Sequence, residues 1–235
     1  IDDEHSAVPS ARRQDTPDSV AITLTYPHWR SGSLPLSPRL GPLFPTAYEA
    51  PRIRFTLVDG SSGEEMAGWV VRAGKYVYGL TDWYREYNIP VGGYLTISRT
   101  GDPGKVRVDY DHRKPRTEWM RTAIPSDNRL LFQNTSHAIG CGYDDLMAIY
   151  VENIEAIDNL WLRLSERRAE LSSLIHDIFS ELAKLSPQGT VHIKTIYSAV
   201  NIVRRCPPGP IIANLIERSA FLHVGGPYWR LAADA

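Results

Sequence analysis

The hydrophobic period of this chain changes once, between residues 124 and 144, and that change limits the folds open to it. Before it, short β-branched stretches recur: Ala21–Thr25, Arg52–Leu57, Gly68–Val71, Tyr94–Ile97 and Val106–Tyr110. Turn residues separate them, at Asp59–Gly63, Ala73–Lys75, Gly92-Gly93 and Gly101–Gly104. Side chains alternate between the faces of a strand, so this portion predicts a compact barrel or sandwich of short strands. Within it Thr81–Tyr87 reads as one short helix, with Thr81 as its cap. Two further strands are possible near 116–122 and 129–133. After the change, Leu146, Tyr150, Ile157, Leu160, Leu164, Leu171, Leu174, Ile178 and Leu185 follow a three-four spacing that predicts one long helix or two joined ones. Asn153, Arg167 and Glu181 fall in the same series, so it is not an unbroken coiled-coil seam. Segregated periods predict an α+β protein. Its expected parts are a flexible lead-in over 1–19, a β-barrel-like domain over 20–135, a helical connector over 144–169 and a C-terminal domain over 170–235.

That last domain has a definite element order. A strand, Thr190–Ile193, leads to a helix over Lys194–Arg205 with Ile196, Tyr197, Val200 and Val203 on one face. Pro207-Pro208-Gly209-Pro210 breaks the chain, and Pro210 suits the first turn of a second helix, where a missing N–H costs nothing. That helix, Ile211–Ser219, is expected to bury Ile211, Ile212, Leu215 and Ile216. It would present Ala213, Asn214, Glu217 and Arg218 outward. Phe221–Val224 and Tyr228–Leu231 then read as a hairpin around Gly225-Gly226-Pro227. Helix, strand, helix, helix, hairpin resembles the winged-helix class called HARE-HTH, over about residues 170–232. The resemblance implies DNA contact or protein docking. Asn214 can pair with adenine and Arg218 with guanine or phosphate, while Glu217 would repel the backbone.

Residues Tyr78–Ile97 carry a second pattern: a Gly, a short aromatic helix, then a Gly-rich turn into a strand. With Ile53–Asp59 and Trp69 upstream, it resembles the plant-type DNA-binding pseudobarrel, shared with the effector domain of some restriction endonucleases, over about residues 20–111. Gly93 stands where that family has Asp. The resemblance implies two arms gripping the major groove of double-stranded DNA. The first would be Tyr26–Ser33, with Trp29, Arg30 and Ser31 as contacts. The second would be Arg72–Tyr76, with Arg72, Lys75 and Tyr76. Cations suit phosphate and guanine, and hydroxyls and rings suit packing along the groove. Arg99, Lys105, Arg107, Arg113, Lys114 and Arg116 would add a phosphate-facing stripe or a merely solvated sheet face.

Charge along the chain is uneven. Residues 99–121 hold seven Lys/Arg against four Asp/Glu, 144–188 four against nine, and 189–235 five against two. Basic parts flanking an acidic one fit a protein that meets phosphates through its ends. The only cysteines, Cys141 and Cys206, form neither a disulfide framework nor a CxxC zinc pattern, so both are expected to be inert in a reduced, cytoplasmic compartment. No apolar run reaches membrane-spanning length. The first residues carry neither an initiator Met nor a signal-peptide pattern, so the chain reads as a piece of something longer or a processed product.

Chemical signatures are sparse. There is no Walker loop, GxSxG elbow or HExxH, and Gly140-Cys141-Gly142 lacks the third glycine of a dinucleotide fingerprint. Asp109, Asp111 and His112 could hold a metal, but a polar strand end explains them as well. No catalytic residue, metal or cofactor is therefore expected. The expected function is DNA binding, as a regulator or the specificity portion of a larger nucleic-acid-processing protein. The alternatives are a protein-interaction module, with a homodimer through residues 144–185, and an enzyme with an unrecognised site.

Overall fold

A computed structural model describes residues 17–47 and 50–232. The lead-in read over residues 1–19 lies, as far as residue 16, outside the described residues. The architecture is α+β, with an N-terminal curled half-barrel, a helical middle and a small C-terminal sheet flanked by helices. The chain divides into two compact units. One contains the residues up to Leu24, His28–Pro115 and Ile139–Asp144; the other contains Thr25–Pro27, Arg116–Ala138 and the residues from Asp145 onward.

The first unit is built on one sheet of seven strands. In chain order they are β1 (Ser19–Thr23), β2 (Ser33–Pro35), β3 (Arg52–Asp59), β4 (Glu65–Val71), β5 (Tyr76–Tyr78), β6 (Tyr94–Arg99) and β7 (Lys105–Tyr110). Their spatial order is β1-β6-β7-β3-β4-β5-β2, antiparallel except for the parallel pair β3 and β7. Alternation does what the sequence predicts. Phe55, Leu57, Val70, Val77, Leu95 and Val108 turn inward and are buried, while their neighbours turn out. Curling a sheet around one core buries that inner face without a second layer of strands. Helix α2 (Thr81–Glu86) adds Trp83 and Tyr84 to the same core. Its N-cap is Leu80, with no side-chain cap, so Thr81 is already inside the first turn. Thr81 is displaced from the cap because Gly32 O accepts the Gly79 and Leu80 N–H groups, ordering the chain one residue earlier.

The β3–β4 turn is held by a buried carboxylate. Asp59 accepts hydrogen bonds from Ser61 N at 2.9 Å, Ser62 Oγ at 2.6 Å and Tyr87 Oη at 2.6 Å. Burial alone would push this carboxyl up, but the bonds from Ser62, Tyr87 and Ser61 outweigh it and hold it down at about 2, against an ordinary 3.8. A group whose pKa is lower folded than unfolded contributes stability above its unfolded value. That contribution, about 2 kcal/mol, is lost as pH falls from near 4 to near 2. We expect Asp59→Asn to lower the urea-unfolding free energy by about this amount or more at neutral pH, and the gap from the parent to close as pH approaches about 2. A gap independent of pH would overturn this assignment.

The second unit opens with part of a long ribbon, β8 (His112–Pro125) and β9 (Leu130–Cys141), which encloses the two strands expected near 116–122 and 129–133. Strand β10 (Tyr150–Val151) pairs in parallel with Thr122 and Ala123 of β8. Helix therefore starts only at α3 (Ile154–Glu166), not at Asp144; Asn153 caps it by accepting the Ala156 N–H. Arg168, at φ 50°, breaks the run before α4 (Leu171–Ala183), so the joined-helices form of the prediction holds. Ile157, Leu160, Leu164, Leu174, Ile178 and Leu182 are buried within this unit, so the apolar stripe serves its own core.

The C-terminal elements are β11 (Thr190–His192), α5 (Ile193–Val203), α6 (Pro208–Glu217), β12 (Phe221–Gly225) and β13 (Tyr228–Leu231). Strand β11 pairs with β13, and β13 with β12, in a three-stranded antiparallel sheet. With α4 in front, this is a winged-helix-like arrangement. Helix α6 begins earlier than expected, with Pro208 in its first turn and Pro207 as N-cap. Its buried residues are Ile211 and Leu215 alone; Ile212 is 40% exposed and Ile216 67%. Helix α6 is thus covered along a single narrow seam.

Candidate nucleic-acid interface

The first expected arm is not a loop. Residues Tyr26–Ser31 form a short helix, α1, whose end is fixed by its own side chains. His28 Nδ1 and Ser33 Oγ are 2.7 Å apart, Ser31 Oγ and Ser33 Oγ 2.7 Å, and Tyr84 Oη donates to Ser33 O at 2.8 Å. Trp29 packs against the half-barrel core and its indole N–H donates to Ile89 O at 2.7 Å, so its ring serves packing. Arg30 and Ser31 are exposed.

The second expected arm is a tight turn, Arg72–Lys75, joining β4 to β5. Lys75 has a positive φ of 53°, and its carbonyl accepts the Leu36 N–H at 2.9 Å. Arg72 donates to Ala47 O at 2.5 Å. Both side chains are exposed, whereas Tyr76 is partly buried. The pairing of Ser33–Pro35 with Tyr76–Tyr78 links the arms. Helix α1 enters this strand pair at its Ser33 end and the turn leaves it at its Pro35 end, so a three-residue strand, about 10 Å, separates them. Asn214 and Arg218 belong to the other unit. Asn214 is half-buried and donates to Pro210 O within α6, and Arg218 is the exposed C-cap of that helix.

Strand register adds residues that the sequence did not single out. Arg54 lies opposite Trp69, and Trp69 opposite Tyr78; beside them Arg52 lies opposite Val71, and Val71 opposite Tyr76. All point away from the core. Trp69 is 39% exposed and Tyr78 46%. The outer face of β3, β4 and β5 therefore carries Arg52, Arg54, Trp69 and Tyr78 in two adjacent rows, with Arg72 and Lys75 at its end. Among the described residues no carboxylate pairs with Arg52, Arg54 or Lys75. The strip ends at Glu65, which is neutralised by Lys105.

The other cationic candidates are mostly spent. Arg107 pairs with Asp109 and donates to Gly60 O, Arg113 pairs with Asp111, Arg116 with Glu118, and Arg99 donates to Pro42 O. Here the solvated-face reading fits better than a phosphate stripe. The same pairs use up Asp109 and Asp111, while His112 Nε2 is 2.6 Å from Ser61 Oγ. Among the described residues no cluster of three potential metal ligands occurs. Cys141 and Cys206 are buried and free, and burial pushes the Cys141 thiol up to about 11. No described helix is long and apolar enough to cross a membrane.

No protein-family model matches the chain, and no curated protein matches its sequence. Half-barrel and winged-helix-like shapes are, in general, architectures consistent with nucleic-acid binding.

Proposed function

We propose that this chain is a DNA-binding protein, a regulator or the specificity portion of a larger nucleic-acid-processing protein. The half-barrel contacts duplex DNA and the winged-helix-like module assists. The observation carrying this reading is the outer strip of β3, β4 and β5. Four exposed cations, three of them without a carboxylate partner, flank an exposed indole and phenol. Phosphate attracts such a strip at long range, and the exposed Arg72–Lys75 turn adds two cations at its end. The shapes of both units are those of barrel-like and winged-helix-like folds in general, which supports the reading at that level.

Anisotropy of a labelled random duplex, titrated between about 50 mM and 200 mM salt, tests this. The logarithmic salt slope is expected to fall by about 2 in the double variant Arg54→Ala, Lys75→Ala, because each phosphate contact contributes about 0.9. Arg30→Ala tests the first arm in the same assay. Unchanged affinity and slope in the double variant would remove the strip from the interface.

A second reading is favoured for the C-terminal module alone. Helix α6 presents Ile212 and Ile216 one turn apart, and the hairpin presents Leu222 and Val224 at strand spacing beside an exposed Tyr228. Apolar groups gain nothing from a phosphate backbone, and an exposed apolar patch marks a protein contact. Under this reading the module docks a protein while the half-barrel holds DNA. A homodimer through residues 144–185 would have to use residues outside the buried stripe, such as Trp161 and Leu162.

A further inference from the structure

The second unit contains a cleft that neither the strip nor the apolar patch uses. About 410 Å³ in volume, it is bounded by the end of α3 (Trp161, Leu164, Ser165), the link to α4 (Arg168, Ala169), Leu174 of α4 and the end of α5 (Val203, Arg204, Arg205). That size lies within the range of roughly 300–1,000 Å³ common to small-molecule sites. Its floor is apolar, since Leu164, Leu174 and Val203 are buried. One wall is Trp161, 44% exposed. Arg168, Arg204 and Arg205 supply its cationic lining.

Three guanidiniums around one cleft repel one another, and none of the lining residues is acidic. Arg204 donates to Ala169 O at 2.9 Å, closing the α5 end onto the α3–α4 link. No ion pair holds Arg168 or Arg205 among the described residues. Arg168 also adopts a left-handed φ of 50°, unusual for its type, which turns the chain at the cleft's rim. Guanidinium presents a planar fork of donors that suits an oxyanion, and three of them suit one carrying more than a single charge. An indole beside an aliphatic floor suits a flat ring.

We propose that this cleft binds a nucleoside monophosphate group, its base against Trp161 and its phosphate held by Arg168, Arg204 and Arg205. The same chemistry reaches the site from a free nucleotide or from the phosphorylated 5′ end of a strand.

Calorimetric titration of the full chain with AMP, adenosine and inorganic phosphate tests the proposal. AMP should bind at least about tenfold more tightly than either fragment, because only AMP engages both the ring wall and the arginines. Arg205→Ala, Trp161→Ala and Arg168→Asn should each weaken AMP by about tenfold with unaltered thermal unfolding, asparagine being chosen for its tolerance of positive φ. The half-barrel variant Arg54→Ala, Lys75→Ala should bind AMP as the parent does. A 5′-phosphorylated tetranucleotide bound as tightly as AMP, and through Arg205, identifies a strand end; rejection of it identifies the free nucleotide. Equal affinity for AMP and inorganic phosphate, or AMP binding that survives the cleft variants or falls with the half-barrel variant, overturns the site.

Discussion

Gly32→Ala is expected to destabilise the half-barrel by about 2–4 kcal/mol, enough to leave a marginal domain largely unfolded. Two separate penalties combine. Gly32 has a φ of +63°, a region that costs an alanine about 1 kcal/mol. In addition, an added Cβ would lie 2.0 Å from Thr81 Oγ1 and 2.5 Å from Thr81 N. The hydroxyl can rotate, but the backbone nitrogen cannot retreat. Gly32 O holds the Gly79 and Leu80 N–H groups at 3.2 and 2.9 Å, and the helix that follows is anchored by buried Trp83 and Tyr84. Gly63→Ala is the matched control. It also has a positive φ, +77°, but a Cβ there meets nothing within 4 Å, so only the conformational cost of about 1 kcal/mol should appear. Urea titrations of the two variants separate the terms, and equal losses would show that the Thr81 contact is relaxed away. Because Gly32 joins α1 to β2, any folded fraction should also show weakened duplex binding.

Asn201→Ala is expected to cost about 3–5 kcal/mol in the C-terminal module. Asn201, 2% exposed, donates to Tyr197 O at 2.9 Å and Cys206 O at 3.0 Å and accepts the Cys206 N–H at 3.1 Å. It thereby ties both backbone polar groups of Cys206, its N–H and its C=O, to α5, immediately before Pro207 and the start of α6. Alanine leaves that N–H and C=O buried without these partners, at about 1–3 kcal/mol each. Ser198→Ala, which takes one partner at 2.6 Å from the buried Met147 C=O, should cost about 1–3 kcal/mol, less than Asn201→Ala because one group rather than two loses its bond. Chemical unfolding followed by far-UV circular dichroism measures both. Comparable losses would mean that the Cys206 loop rearranges to satisfy itself.

How much of this is legible in residue types alone depends on the range of the interactions involved. Strand and helix periods are local, so the β portion, the helical portion and the terminal hairpin could be read from residue types alone. Helix phase was harder. Ile211, Ile212, Leu215 and Ile216 are equally apolar, yet a narrow seam covers only Ile211 and Leu215, and which pair turns inward is decided by packing in three dimensions. Leu146 and Tyr150 match the helical spacing by coincidence, and helix begins only at Ile154. Residues 150–151 instead pair with a distant strand, a non-local term invisible to periodicity.

The candidate site divides along the same line. Composition and turn chemistry mark Arg72 and Lys75 as exposed cations, because a glycine-containing turn between two strands has little choice but to face solvent. The cationic alternation at Arg52 and Arg54 was in plain sight, but nothing local says that Trp69 and Tyr78 stand beside them. That follows from the register of β3, β4 and β5, set by burial of the opposite face. Trp29 shows the converse. Its aromatic character made it a contact candidate, and the fold turned its ring to the core and its N–H to Ile89 O. The cleft beneath Trp161 draws its arginines from positions 168, 204 and 205, which only the packing of α3, α4 and α5 unites. Residue order alone carries the change of period at residues 124–144 and the α+β class it entails, since both rest on side-chain spacing along a strand or helix. Tertiary structure alone decided which cations keep carboxylate partners and which stand open beside aromatic rings, because charge pairing depends on distances across strands and helices, not along the chain.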